Sequence, residues 1–116
     1  MSNESDAAPT DGFADVGPAA ALGEGTMRGV DVDGERVLIA RVGGCVHAVG
    51  GLCTHQIAHL EDGALEDGIV RCPRHWAGFD LGTGEAVCAP AEAPLPVYDV
   101  KVEDGRLLVA RRPRRG

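Results

Sequence analysis

The sequence predicts an all-β fold, and three observations support this. First, the 17 Gly and 7 Pro of the 116-residue chain mostly separate short apolar runs, a pattern that favours strands and turns. Second, Asp-Gly pairs at 33–34 and 104–105 stand between such runs, and Asp-Gly is typical of tight hairpin turns. Third, no stretch has a convincing amphipathic helical period. The length suits one small domain.

These turn signals give the positions of the predicted strands. In chain order, the predicted strands are 27–32, 36–41, 45–49, 69–71, 85–88, 98–102 and 106–109. The continuous apolar run at 37–40 predicts a strand that is buried on both faces. Gly43-Gly44 makes the turn that follows it, and Gly50-Gly51 permits a sharp bend. Pro90, Pro94 and Pro96 predict a stiff extended connector.

Charge is distributed unevenly along the chain. The net charge is −7, yet residues 106–116 contain five arginines and no acid. The acidic remainder would repel nucleic acid, which excludes that class of partner. The acids serve solubility or steer the protein toward a basic partner, and both interpretations stay open. The arginine-rich end is interpreted as a frayed charged terminus.

The expected location is the cytoplasm, without a membrane partner. No run approaches the ~20 apolar residues of a membrane helix, and no secretory signal is visible at the N-terminus. The four cysteines show no pairing pattern, which agrees with a reducing compartment. Residues 1–10 are polar and predicted to be disordered.

The most informative motif consists of Cys53, His55, Cys72 and His75. Each of the two pairs supplies one thiolate and one imidazole in the same order, and 16 residues separate the pairs. In a Rieske [2Fe-2S] cluster, two cysteines hold one iron and two histidines hold the other, so each loop serves both irons. A zinc site remains the alternative, although zinc modules usually pair cysteine with cysteine. Four unrelated loop residues are the remaining alternative.

The surroundings of the motif resemble the Rieske ferredoxin family. The resemblance is carried by Cys53-Thr54-His55, Cys72-Pro73-Arg74-His75, Phe79-Asp80-Leu81 and Thr83-Gly84, and extends over residues 28–109. It implies stacked antiparallel sheets with an inserted cluster-binding subdomain at 51–90. This subdomain would lie within a single domain at 11–110, followed by a basic tail at 111–116. One [2Fe-2S] cluster per chain is implied, with His55 and His75 on the outer iron near the surface.

Departures from the family's pattern reduce the number of subfamilies to which the chain could belong. Respiratory relatives carry a disulfide across the cluster, and the matching positions here are Ala58 and Arg74. High-potential relatives also carry a serine and a tyrosine, which Ala77 and Phe79 replace. Many relatives have glycine at the position of Trp76, which could cover the cluster or lie at a docking surface.

The resemblance implies an electron carrier rather than an enzyme. The carrier would take single electrons from a flavin-dependent reductase and deliver them to a terminal oxygenase that acts on aromatic compounds. The alternative is a small Rieske subunit of a larger reductase, such as a nitrite reductase. The other candidate ligands are weaker: Cys45 and Cys88 are interpreted as buried apolar residues, and His47 and His59 as incidental.

Overall fold

The structure is a computed structural model that describes residues 12–52, 59–73, 77–88 and 94–114. The described strands are β1 Phe13–Pro18, β2 Met27–Val32, β3 Glu35–Val42, β4 Cys45–Gly50, β5 Ala64–Glu66, β6 Ile69–Arg71, β7 Gly78–Asp80, β8 Ala86–Cys88, β9 Val97–Tyr98, β10 Val100–Glu103 and β11 Arg106–Ala110. Two short 3-10 turns, Ala19–Ala21 and Leu60–Asp62, accompany them. Among the described residues, no helix is long and apolar enough to cross a membrane.

These strands form three antiparallel sheets, which confirms the all-β prediction. The central sheet has the order β9-β4-β3-β2, the terminal sheet β10-β11-β1, and the distal sheet β5-β6-β7-β8. The terminal sheet joins the beginning of the described chain to its end, because β1 pairs with β11. The distal sheet lies between β4 and β9 in sequence and is therefore an insertion between two neighbouring strands of the central sheet.

Aspartate-glycine turns close three of the hairpins. At Asp33-Gly34 and Asp104-Gly105 both residues have positive φ, as a two-residue turn of the primed type requires. Both turns were predicted from the sequence. The third turn, Asp67-Gly68, has the same conformation and joins β5 to β6, although the sequence analysis did not single it out.

The strand at 37–40 is buried on both faces, as predicted. Leu38 and Ala40 belong to one core, whereas Val37 and Ile39 belong to another, because neighbouring side chains of a strand point to opposite faces. The first core contains residues of the distal sheet and the second contains residues of the terminal sheet. The central sheet is therefore the middle layer of the molecule.

Other expectations are corrected. Strand β1, β5 and β7 were not predicted, and the strand expected at 98–102 is interrupted at Asp99. Cys45 is exposed rather than buried, because it lies at the end of β4 beside the Gly43-Gly44 turn. The side chain of Cys88 and the predicted disorder of residues 1–10 lie outside the described part of the chain.

The C-terminal arginines are not frayed within the described residues. Arg111 pairs with Asp33 at 2.6 Å, and Arg114 pairs with Asp99 at 2.8 Å. The backbone N–H of Arg114 also donates to the carbonyl of Val97. The basic tail is thus tied to the sheets along 111–114.

A close backbone approach at Gly63 sets the start of the distal sheet. A Cβ atom at this position would overlap the carbonyl oxygen of Arg71 and lie 2.9 Å from its carbonyl carbon. The same atom would lie 3.2 Å from Cδ of Pro73. Only glycine allows the chain after the turn Leu60–Asp62 to pass this close to the end of β6.

We expect Gly63→Ala to destabilise the protein by about 3 kcal/mol or more, since the obstructing atoms belong to the backbone and overpacking usually costs about 1–3 kcal/mol. The urea unfolding midpoint measures this change. Gly23→Ala is the matched control, because its Cβ would meet nothing nearer than 3.9 Å. An equal midpoint shift in the two variants would contradict the close approach at Gly63.

Candidate metal centre

The second predicted ligand loop is the turn of the β6–β7 hairpin. Arg71 pairs with Gly78 in the last rung of the ladder, and Cys72 follows β6 directly. The N–H of Cys72 donates to the carbonyl of Ala77 at 2.8 Å, which closes the loop at its base. The hairpin therefore fixes the backbone of Cys72, the first predicted ligand of this loop.

Cys72 is fully buried and is a free cysteine. It belongs to the core that also contains Leu60, Ala77 and Phe79, all of which are shielded from solvent. A thiolate in such a place is protected from water and oxidants, which suits a structural iron–sulfur ligand. The donor chemistry and burial of Cys72 therefore fit the predicted cluster.

The first predicted ligand loop is held at both ends. Its start is fixed because the N–H of Gly51 donates to the carbonyl of Arg36 at 2.8 Å. Its end is fixed because the N–H of Leu60 donates to the carbonyl of Gly51 at 2.9 Å, and an isolated bridge pairs Leu52 with His59. The segment between Leu52 and His59 is thus closed at its base like a hairpin.

The bases of the two loops lie side by side. Leu60, at the end of the first loop, shares a core with Cys72, at the start of the second. Gly63 and Pro73 also lie close together, because a Cβ atom added to Gly63 would lie 3.2 Å from Cδ of Pro73. The fold therefore brings together the described end of the first predicted loop and the described start of the second.

Of the four predicted ligands, the structure places Cys72. Cys53, His55 and His75 lie outside the described residues, as do Ala58, Arg74 and Trp76. Among the residues that are described, no group of three His, Cys, Asp or Glu side chains could hold a metal ion. The complete ligand set thus remains a prediction from the sequence.

An ion-pair cluster lies beside the first loop, and the sequence analysis did not find it. The guanidinium of Arg36 donates to Oε2 of Glu61 through Nη2 and to Oδ1 of Asp31 through Nη1. His59, which was interpreted as incidental, places Nδ1 at 3.3 Å from the same Glu61 oxygen. His47 lies in β4, opposite Ala40.

Glu61 is the most buried carboxylate of the described ion pairs, with 16% of its side chain exposed. Burial raises the pKa of Glu61, but hydrogen bonds from Arg36, its own backbone and His59, together with the Arg36 charge, outweigh burial and hold that pKa below its ordinary value. Glu61 is therefore ionised at neutral pH and paired with Arg36.

Comparison with known proteins identifies the family. Residues 12–99 match the family described as Rieske [2Fe-2S] domain. The ferredoxin component of the naphthalene 1,2-dioxygenase system of Pseudomonas putida is 40% identical over 86 residues, which cover 74% of this chain and 83% of that protein.

Solved structures of Rieske ferredoxins have the same fold. A chain in the complex of reduced oxygenase and oxidized ferredoxin in carbazole 1,9a-dioxygenase superposes with a TM-score of 0.86 at 32% identity, covering 90% of this chain and 98% of that one. The ferredoxin of carbazole 1,9a-dioxygenase from Nocardioides aromaticivorans IC177 gives 0.82 at 34%, covering 88% and 98%. The family match, the relatives and the buried Cys72 lead to one conclusion: this chain belongs to the Rieske [2Fe-2S] family, as an electron-carrying ferredoxin whose cofactor is one [2Fe-2S] cluster.

Proposed function

We propose that Cys53 and Cys72 bind one iron of the cluster and that His55 and His75 bind the other. The observation that carries this proposal is the buried Cys72, which lies where the bases of the two loops meet. Each loop contributes one cysteine and one histidine in the same order, which suits a Rieske cluster held by two cysteines and two histidines better than a zinc site, where cysteine usually pairs with cysteine.

Such a ligand set supports the transfer of one electron at a time. Held by the thiolates of Cys53 and Cys72 and the neutral imidazoles of His55 and His75, the oxidised cluster would be about neutral and would supply one-electron chemistry. Because two imidazoles replace two thiolates, reduction is easier than in a cluster held by four cysteines. The chain's own contribution is to orient the ligands and to shield Cys72 from solvent.

The carrier would take its electron from a flavin-dependent reductase and deliver it to a terminal oxygenase that acts on aromatic compounds. This route is supported by the relatives, which are named as ferredoxin components of naphthalene and carbazole dioxygenase systems. A cytoplasmic location belongs to the same proposal, and the free thiol of Cys45, which is not a proposed ligand, agrees with it. A subunit bound permanently within a larger reductase would instead copurify with that enzyme.

Removing Cys72 should abolish a normal cluster. We expect Cys72→Ser to lose most of its iron and its visible absorbance, because ligation of the metal also contributes to folding. Cys53→Ser should behave in the same way. Cys45→Ser is the control, because Cys45 is exposed at the end of β4 and should leave both readouts unchanged. A normal spectrum in Cys72→Ser would contradict the ligand set, and a wild-type protein that contains zinc and no acid-labile sulfide would establish the zinc alternative.

The midpoint potential should lie toward the bottom of the Rieske range of roughly −150 to +300 mV. Hydrogen bonds to cluster sulfurs stabilise the added electron, and the hydroxyls that supply them in high-potential relatives are missing at Ala77 and Phe79. Both residues are fully buried in the core that holds Cys72. Protein-film voltammetry at neutral pH would measure the potential.

Restoring the hydroxyls should raise that potential. Ala77→Ser with Phe79→Tyr should shift the midpoint upward by roughly 20–65 mV for each new bond, since a hydrogen bond contributes about 0.5–1.5 kcal/mol and 59 mV is tenfold for one electron. Ala48→Ser is the control, because it adds a hydroxyl to the other core. A wild-type midpoint near the top of the range would refute the low-potential assignment.

The acidic surface should make docking to a reductase fast and sensitive to salt. We expect the second-order rate of electron transfer to fall as ionic strength rises through roughly 0.1 M, where charges are screened over about 10 Å. Stopped-flow reduction by a flavin-dependent reductase measures this rate. If the rate does not change with salt, the acids serve solubility and steering is excluded.

A further inference from the structure

We propose that Arg36 and Glu61 are positioning residues that fix the first ligand loop against the central sheet and thereby hold the geometry of the cluster. The inference rests on the proposed ligand set, because it assigns Cys53 and His55 to the loop that these residues anchor. Neither Arg36 nor Glu61 belongs to the ligand motif, and neither would touch the irons as a ligand.

Arg36 anchors both ends of this loop. Its carbonyl oxygen accepts the N–H of Gly51, the residue at which the chain leaves β4 for the loop. Its guanidinium donates to the carboxylate of Glu61, in the 3-10 turn that the chain forms as it leaves the loop. One residue of β3 therefore fixes the start of the loop through its backbone and the end through its side chain.

The fold makes room for this ion pair at Gly29. A Cβ atom at Gly29 would lie 2.6 Å from the carboxyl carbon of Glu61 and 2.7 Å from Nη2 of Arg36. The pair thus lies directly on the backbone of β2, and any side chain at position 29 would displace it. Gly29 has no positive φ, so the close approach of the ion pair is the reason for glycine at this position.

The Arg36–Glu61 ion pair is poorly suited to a role in stability alone. Nε of Arg36 and Oε1 of Glu61 are both buried, and neither has a hydrogen-bond partner among the described residues. Desolvating charges offsets much of their attraction, and this pair is only part-buried, with 29% of the Arg36 and 16% of the Glu61 side chain exposed, so it is weak evidence for stability. A better attested role of such ion pairs is to select one arrangement of the groups around them. A ligand loop needs this selection, because its ligands must be held in one geometry.

The other described ion pairs lack these features. In the Arg106–Asp15 pair, which links the two strands β11 and β1 of the terminal sheet, 49% and 41% of the side chains are exposed. Asp31, the second partner of Arg36, is 71% exposed. Among the described pairs, Arg36–Glu61 combines the least exposed carboxylate with contacts to both ends of the predicted ligand loop.

The test compares two substitutions that each remove one negative charge, Glu61→Gln and Asp15→Asn, in the cluster-loaded protein. The first readout is the rate at which the visible absorbance of the cluster decays, and the second is the width of the EPR lines of the reduced cluster. We expect Glu61→Gln to lose the cluster about tenfold faster than the wild type, within the roughly 10–100-fold loss of metal affinity that removing such supporting contacts causes. Its EPR lines should broaden, because the ligands would sample more geometries.

Asp15→Asn should match the wild type in both readouts. Arg36→Lys keeps the charge but has fewer donors than the guanidinium, so its decay rate should lie between those of the wild type and Glu61→Gln. An intermediate decay rate in Arg36→Lys, together with the EPR line widths, would distinguish a positioning role from a general loss of stability. If Glu61→Gln does not fold, Arg36→Lys carries the same comparison with Asp15→Asn.

Equal decay rates and line widths in Glu61→Gln and Asp15→Asn would overturn the positioning role while leaving the proposed ligand set intact. A wild-type protein without the EPR signal of a Rieske cluster would instead refute the ligand set, and the positioning role with it.

Discussion

The approach of Gly63 to the backbone of Arg71 is the contact on which the site depends. It allows the chain that leaves the first ligand loop to pass beside the chain that enters the second. Directly after Gly63, Ala64 pairs with Arg71, and this rung sets the register of the distal sheet. Because Cys72 follows Arg71, the same contact determines where the first thiolate of the second loop lies.

Strand β3 connects the site to the rest of the molecule. Through residues 37–40 it contributes to the core beneath the distal sheet on one face and to the core of the terminal sheet on the other. Through Arg36, at the beginning of the strand, it contacts both ends of the first ligand loop. The ends of the predicted ligand loop are thus supported by a strand that is itself held from both sides, and a rigid support would limit rearrangement of the proposed ligands on electron transfer.

The sequence predicts the features that depend on neighbouring residues. The Asp33-Gly34 turn, the doubly buried run at 37–40 and each Cys/His pair of the predicted ligand motif lie within a few residues, so their patterns are visible without a structure. Strand β1 was missed because its partner β11 lies at the other end of the chain. The Arg36–Glu61 pair was missed for the same reason, since 25 residues separate its members and nothing local marks either one.

The structure also changes the meaning of the charge distribution. The sequence suggested an acidic body with a free basic tail, yet Arg111 and Arg114 are paired with Asp33 and Asp99, which lie in the connections between strands. Within the described parts of 60–88, which form the distal sheet and the turn before it, six acids face one arginine, Arg71. Negative charge is therefore concentrated in the part of the chain that contains Cys72. Glu61 and Asp62 precede the rung that leads to Cys72, whereas Asp67 and Asp80 lie at the opposite end of the sheet, so the field favours a basic partner on this sheet as a whole.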